Sequence, residues 1–167
     1  MVEVDLVKRV PVGAKFRSMG RTISEGEFAL LTNVTWTLGP LHSDKEVMAK
    51  TPFGERVLAG GITLALMGGL ASISGITKTL EEEHGIGIVA MLTYEDVRFR
   101  NPLFPGDTIE IDTEITEVIP TSKPNRAILK QRDICTKQNN KVVCEATRVY
   151  LIQPLEAQPP GGWVLPR

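Results

Sequence analysis

The chain has 167 residues, 42% of them hydrophobic and 23% charged, with a formal net charge of −1. These values fit one globular domain and exclude disorder or a collagen-like repeat. A pI near 6.2 gives no broad basic field for sequence-independent nucleic-acid binding, and two cysteines are too few for a disulfide scaffold or a cysteine-built zinc site.

In chain order, the first fifteen residues read as irregular, because Pro11 and Gly13 interrupt any element. They carry acids and no long apolar run, so no signal peptide is expected and the cytoplasm is the expected compartment. A short strand is predicted at Lys15–Met19. Ser24-x-x-Glu27 then has the capping-box spacing, and Phe28 and Leu31 supply an apolar stripe, which predicts a helix over Glu25–Thr32. Asn33–His42 reads as a loop, with Gly39-Pro40 blocking helix continuation. Ser43-x-x-Glu46 predicts a second short helix, Asp44–Lys50, with Asp44 in its first turn, and Thr51–Gly54 reads as a turn.

From Val57 to Thr77 there is no charged residue. The run is long enough to raise a membrane span, but it holds five glycines and four Ser or Thr residues, with no Trp or Tyr at its ends. A central helix buried on every side is the favoured reading, closing near Gly85. Four strands follow, at Gly87–Phe99, Thr108–Val118, Arg126–Lys137 and Lys141–Ile152, read as an antiparallel meander. Helices first and strands after make an α+β domain of one unit, residues 1–167, with a core of about 15–153 and a Pro/Gly-rich tail from 158. A two-residue turn at Asn139-Asn140 sets Cys135 opposite Cys144. Two reduced thiols packed as small hydrophobes is the favoured reading there, over a cross-strand disulfide.

Chemistry-bearing residues are few. His84 ends the polar run Glu81-Glu82-Glu83, where a solvated imidazole is the ordinary role. His42 follows an irregular loop and precedes a capped helix, a setting that presents functional groups. No nucleophile elbow, P-loop, dinucleotide fingerprint or zinc-protease motif is present. No metal and no cofactor are expected.

The segment PLHSDKEVMAKTPFGERVLAGGITLALMGGL, followed by VRFRNPLFPGDTIEIDTEITEV, resembles the MaoC-like (R)-specific enoyl-CoA hydratase/dehydratase family. The match spans about residues 21–118. The resemblance implies a single hotdog fold, a long helix wrapped by an antiparallel sheet. It also implies addition of water to an enoyl thioester, or its removal from a 3-hydroxyacyl thioester. Carried over residue by residue, His42 is the family's catalytic histidine and Gly61 supplies the backbone amide that polarises the thioester carbonyl. An amide at a helix N-terminus suits that role, since its N–H is unspent and the helix dipole favours developing negative charge.

The family's Asp, five residues before its His, is Thr37 here, and a shifted register puts Val34 in its place. Neither is an acid, and a threonine hydroxyl can position water without taking its proton. The remaining candidates for helping His42 are Asn33, Thr35, Thr37 and Asp44. Gly60 replaces the His of the family's H-G pair. The threonine-bearing run ahead of Pro40-Leu41-His42 resembles a subgroup acting on mesaconyl- and itaconyl-type CoA esters. Arg98 and Arg100 share a strand face, with Arg126 opening the next strand but one, as candidates for a substrate carboxylate or a CoA phosphate beside the ordinary role of a solvated face.

Two alternatives stand beside the hydratase: a non-catalytic subunit that binds acyl-CoA, motivated by the missing Asp, and a thioesterase, since Gly60-Gly61 also resembles the glycines of hotdog thioesterases. The thioesterase needs a carboxylate on or near the helix, and Val57–Thr77 has none. An acyl-CoA thioester is the expected partner and a homodimer the expected assembly, because a single curved sheet leaves an edge open. No nucleic-acid or membrane partner is expected.

Overall fold

The Val-, Ile- and Thr-rich runs of the second half become four long strands. The computed structural model describes residues 5–157. Its elements are α1 (Leu6–Arg9), β1 (Lys15–Arg17), β2 (Arg21–Thr22), α2 (Glu25–Val34), α3 (Pro40–Ser43), α4 (Lys45–Met48), α5 (Gly60–Ser72), α6 (Ile76–Lys78), β3 (Ile86–Phe99), β4 (Thr108–Pro120), β5 (Ala127–Lys137) and β6 (Lys141–Pro154). They form one six-stranded antiparallel sheet with α5 packed on one face, an α+β hotdog architecture.

The sheet order is β1-β4-β5-β6-β3, with β2 also on β4. The expected meander holds only for β4–β6. β3 crosses over to pair with β6 and becomes an edge. The β5–β6 turn spans Gln138–Asn140, so Lys137 faces Lys141, and an irregularity at Val143 then restores Cys135 opposite Cys144. The cysteine pairing is the expected one, reached by a longer turn plus one extra residue on β6. Both thiols are free and fully buried. Burial pushes Cys135 up to about 12 and Cys144 up to about 11, so neither is a reactive thiolate at neutral pH.

Several helix boundaries differ from expectation. Residues 6–9, read as irregular, form α1, which sinks Leu6 and Val10 into a core with Ile76, Leu80, Ile86 and Ile152. The Ser24–Glu27 capping box forms as read, but α2 runs on through Asn33 and Val34. Pro40–His42, read as loop, joins Ser43 in the helical turn α3, with Pro40 at its first position. Asp44, not Ser43, caps α4. Its carboxylate accepts from the Val47 amide at 2.9 Å, while the Ser43 hydroxyl donates to Leu38 and Gly39 carbonyls.

The uncharged run divides. α5 ends at Ser72, and Gly75, at φ +105, takes a backbone that L-residues avoid before α6 begins. One face of α5 packs Ile62, Met67, Leu70 and Ala71 against Ile109, Ile111 and Ala146 of the sheet. The other face leaves Gly61, Ala65, Gly69 and Ser72 exposed, so burial on every side is corrected to burial on one. No single helix among the described residues is long and apolar enough to cross a membrane; only α5 and the segment through Glu83, bent by 48°, pass together on length and composition. The tail from residue 158 lies outside the described residues.

Candidate active site

The residues that surround His42 are brought together by backbone pairing. In α3 the His42 amide donates to Gly39 O at 2.8 Å. The extended stretch before α5 is clamped from two sides: Val57 N donates to Leu41 O at 3.0 Å and Leu58 N to Leu103 O at 2.8 Å. This sets the Val57 carbonyl 2.6 Å from His42 Nδ1. A carbonyl can only accept, so Nδ1 carries a proton, and in the neutral ring the lone pair lies on Nε2. His42 is half-buried and lines a cavity of about 330 Å³ with Gly60, Phe53, Phe99, Arg100 and Asn101.

The cavity's far wall depends on β6. The Val143 carbonyl accepts from the Arg100 amide at 2.8 Å, and the Val142 carbonyl from Asn101 Nδ2 at 2.6 Å. Asn101 and Phe53 were not among the sequence candidates. The signal available for Asn101 was its place before Pro102 at a strand end, a pattern that only marks a turn.

A second cavity, about 420 Å³, lies on the other side of the first turn of α5 and is lined by Leu31, Thr35, Thr37, Gly61, Ala65 and Leu66, with Ala59 and Ile62. Trp36, at φ 58, turns the chain between the two threonines, whose hydroxyls meet at 3.0 Å. Thr35 Oγ1 also donates to Leu31 O at 2.6 Å. Thr37 therefore shares a cavity with Gly61, and His42 shares one with Gly60. Asn33 and Asp44 line neither: Asn33 Nδ2 donates to Ala29 O, and Asp44 caps α4. Among the described residues no carboxylate lines either cavity.

Between the cavities, Ala59 precedes α5 and no side chain caps the helix. The amides of Gly60, Gly61 and Ile62 are the unspent donors of that terminus. A Cβ on Gly61 would meet nothing within 4 Å, so space for a ligand adjoins its amide. A Cβ on Gly60 would come within 2.9 Å of Phe99.

Comparison with known proteins places the chain in a family. The model of the MaoC-like domain matches residues 8–133. The chain belongs to the MaoC-like domain family. The MaoC-like chain is 28% identical over 106 residues to a 3-hydroxybutyryl-CoA dehydratase of Methylorubrum extorquens, covering 64% of the chain and 61% of that relative. Its fold is similar to that of an (R)-hydratase from A. caviae (TM-score 0.63, 23% identity, 87% of this chain and 97% of that one). It is also similar to a double-hotdog protein of Mycobacterium tuberculosis (TM-score 0.72, 19% identity), covering 94% of this chain and 46% of that one. The MaoC-like chain thus spans about three fifths of the dehydratase and under half of the double hotdog.

Arg98 and Arg100 line one cavity together, as a shared face requires, and Arg126 stands just ahead of β5. Arg100 is paired to Glu145, with Nε at 2.8 Å and Nη2 at 2.5 Å. The FPGDTI run has a structural role. Asp107 accepts from the Phe104 amide at 2.9 Å, from Lys137 Nζ at 2.8 Å and from Gln138. Lys137 also donates to Pro102 O at 2.8 Å, which fixes the loop walling the His42 cavity.

Proposed function

We propose that this chain hydrates the double bond of an enoyl thioester and, in reverse, dehydrates a 3-hydroxyacyl thioester. The observation that carries this reading is the His42–Val57 hydrogen bond, which leaves Nε2 as the free base beside the uncapped N-terminus of α5. A dehydratase relative and a hydratase-like fold support it.

In this reading His42 Nε2 takes a proton from water as the water oxygen bonds to Cβ. The π pair moves toward the thioester, and the enolate oxygen is met by the amides of Gly60 and Gly61, whose dipole and desolvation favour it. Cα then takes the proton from the imidazolium, and the base is restored. Thr37, whose hydroxyl meets Thr35 in the cavity beside Gly61, takes no proton in this reading. The acyl chain occupies the cavity beside Gly61. Among the described residues that cavity has no charged side chain in its lining, which favours a linear or branched uncharged acyl group over a dicarboxylic one, since a carboxylate buried there would be unpaired.

A second copy completes the assembly. Among the described residues β3 pairs only with β6, and Met91, Leu92 and Phe99 are about half exposed along it, so a homodimer through this edge is proposed. The buried free thiols suit the reducing compartment expected of the chain.

Incubation with crotonyl-CoA, followed by loss of enoyl-thioester absorbance and release of free thiol, tests the reading. Hydration without thiol release is expected, with His42→Ala slower by at least about a hundredfold, the lower range for general acid–base catalysis. An unchanged rate in that variant overturns the mechanism. Thiol release indicates the thioesterase. Binding of the CoA ester with no turnover indicates the non-catalytic subunit, which the lack of any carboxylate at the cavities favours as the second reading.

A further inference from the structure

This inference rests on reading the site as one that takes a thioester. An acyl group seated beside Gly61 leaves its thiol carrier to run outward, and Arg100 stands in the wall of the His42 cavity and of another, about 310 Å³ in volume. Arg98, Arg132, Asp96 and Glu145 line that second cavity too. In register, Arg98 faces Glu145 and Arg132 faces Thr147. The cluster therefore lies on the sheet face opposite Cys144 and Ala146, which pack toward α5.

Glu145 accepts from Arg100 and, at 3.1 Å, from Arg132 Nη2, so one carboxylate holds two guanidiniums side by side. Arg98 meets only the Val97 carbonyl, at 3.2 Å, and has no carboxylate partner among the described residues. In the cavity lining three cations stand against Asp96 and Glu145, and Glu114, opposite Arg132 in register, is paired with Lys15. Four hydrogen bonds engage the three guanidiniums, and most of their N–H donors remain unspent. Guanidiniums set side by side suit the several oxygens of a phosphate ester. A distal acyl carboxylate would travel with the acyl chain into the uncharged cavity beside Gly61, away from this cluster.

We propose that Arg98, Arg100 and Arg132 form a phosphate subsite for the phosphorylated end of the thiol carrier. The carrier is coenzyme A or a phosphopantetheine arm borne on a protein; the two share this chemistry. The test compares kcat/KM for the coenzyme A thioester and the pantetheine thioester of one acyl group, which differ in phosphate. Wild-type protein is expected to prefer the coenzyme A form. That preference should fall at least about tenfold in Arg98→Ala, as loss of a charge-assisted hydrogen bond implies. It should fall further in Arg98→Ala/Arg132→Ala, and recover in part in Arg98→Lys. Rising salt should also erode it. A carrier-protein thioester used in preference to both, and lost in the same variants, supports the subsite and identifies the protein-borne arm. An unchanged preference across the variants overturns the proposal.

Absence of turnover with every thioester would defeat the catalytic reading alone. The subsite is then tested by calorimetric titration of wild type and the double variant, each checked for a cooperative melt, with free coenzyme A and with pantetheine. Coenzyme A binding that weakens at least tenfold in the double variant supports it. Equal coenzyme A binding by both proteins overturns it.

Discussion

Arg148 Nε lies 2.5 Å from Asp133 Oδ2, with both side chains almost fully buried between sheet and helix. Asp133 Oδ1 accepts from Thr113 Oγ1 at 2.5 Å and Gln131 Nε2 at 2.8 Å. On its other side Arg148 Nη1 donates to the Gly68 carbonyl at 3.1 Å and to Ser72 Oγ at 3.2 Å. The guanidinium also lies over the Tyr150 ring, 5.4 Å from its centroid. This network ties three adjacent strands to the second half of α5, the helix whose first half presents the open amides.

Removing one partner strands the other charge in the core. Asp133→Ala should therefore cost about 3–5 kcal/mol, the usual penalty for breaking a buried ion pair, or roughly 10 °C in Tm for a domain of this size. Replacing both, as Asp133→Leu/Arg148→Met, should recover most of that loss, because no buried charge is left unpaired. Thermal melts of the three proteins check it; a double variant no more stable than Asp133→Ala would refute the account.

Two glycines of α5 should respond in opposite directions. A Cβ at Gly68 would stand 2.5 Å from the Tyr94 hydroxyl, so Gly68→Ala should destabilise by about 1–3 kcal/mol, the range for overpacking a core. A Cβ at Gly61 meets nothing, so Gly61→Ala should stabilise the helix by up to about 1 kcal/mol. If the acyl thioester seats against that amide, the same substitution should raise KM or lower kcat. Denaturant unfolding and steady-state kinetics on the two variants separate the effects.

Asp107 makes stability sensitive to acid. Burial alone would raise its carboxyl, but hydrogen bonds from Lys137, the Phe104 amide and Gln138 outweigh burial and hold it below the ordinary value. A depressed folded-state value means its contribution is present above the unfolded value of about 3.9 and is lost as pH falls through the folded one. Asp107→Asn should thus be less stable than wild type at pH 7, and the gap should close below about pH 4. Urea melts across that range check it, and a gap that persists at acid pH would count against the account.

Much of the fold was legible because its signals are local. The four long strands begin and end within a few residues of the Val, Ile and Thr runs, and Ser24–Glu27 forms the capping box its spacing announces. Local reasoning went wrong where two signals competed. Ser43 and Asp44 are both good caps, and the choice fell to Asp44 because Pro40 starts a turn of its own that uses the Ser43 hydroxyl. At the β5–β6 hairpin, turn length and an extra residue offset each other, which pairwise counting cannot separate.

The site was legible only in part. His42 and the glycines of α5 were candidates through the resemblance of their motifs to a family. Their division between two cavities could not be read that way, because it depends on which side of a helical turn each backbone atom faces. Arg98 and Arg100 lie at the end of β3, and Arg132, on β5, meets them only through the register of β3, β5 and β6.

A length and composition suited to one α+β domain, the four long strands and the lack of an acid at Thr37 or Val34 were properties of the sequence alone, since propensity and charge are written residue by residue. Tertiary structure decided the rest. It set β3 at the edge, exposed one face of the uncharged helix, and fixed the His42 tautomer through Val57. Each of these depends on contacts between segments distant in sequence, and the backbone must close before such contacts exist.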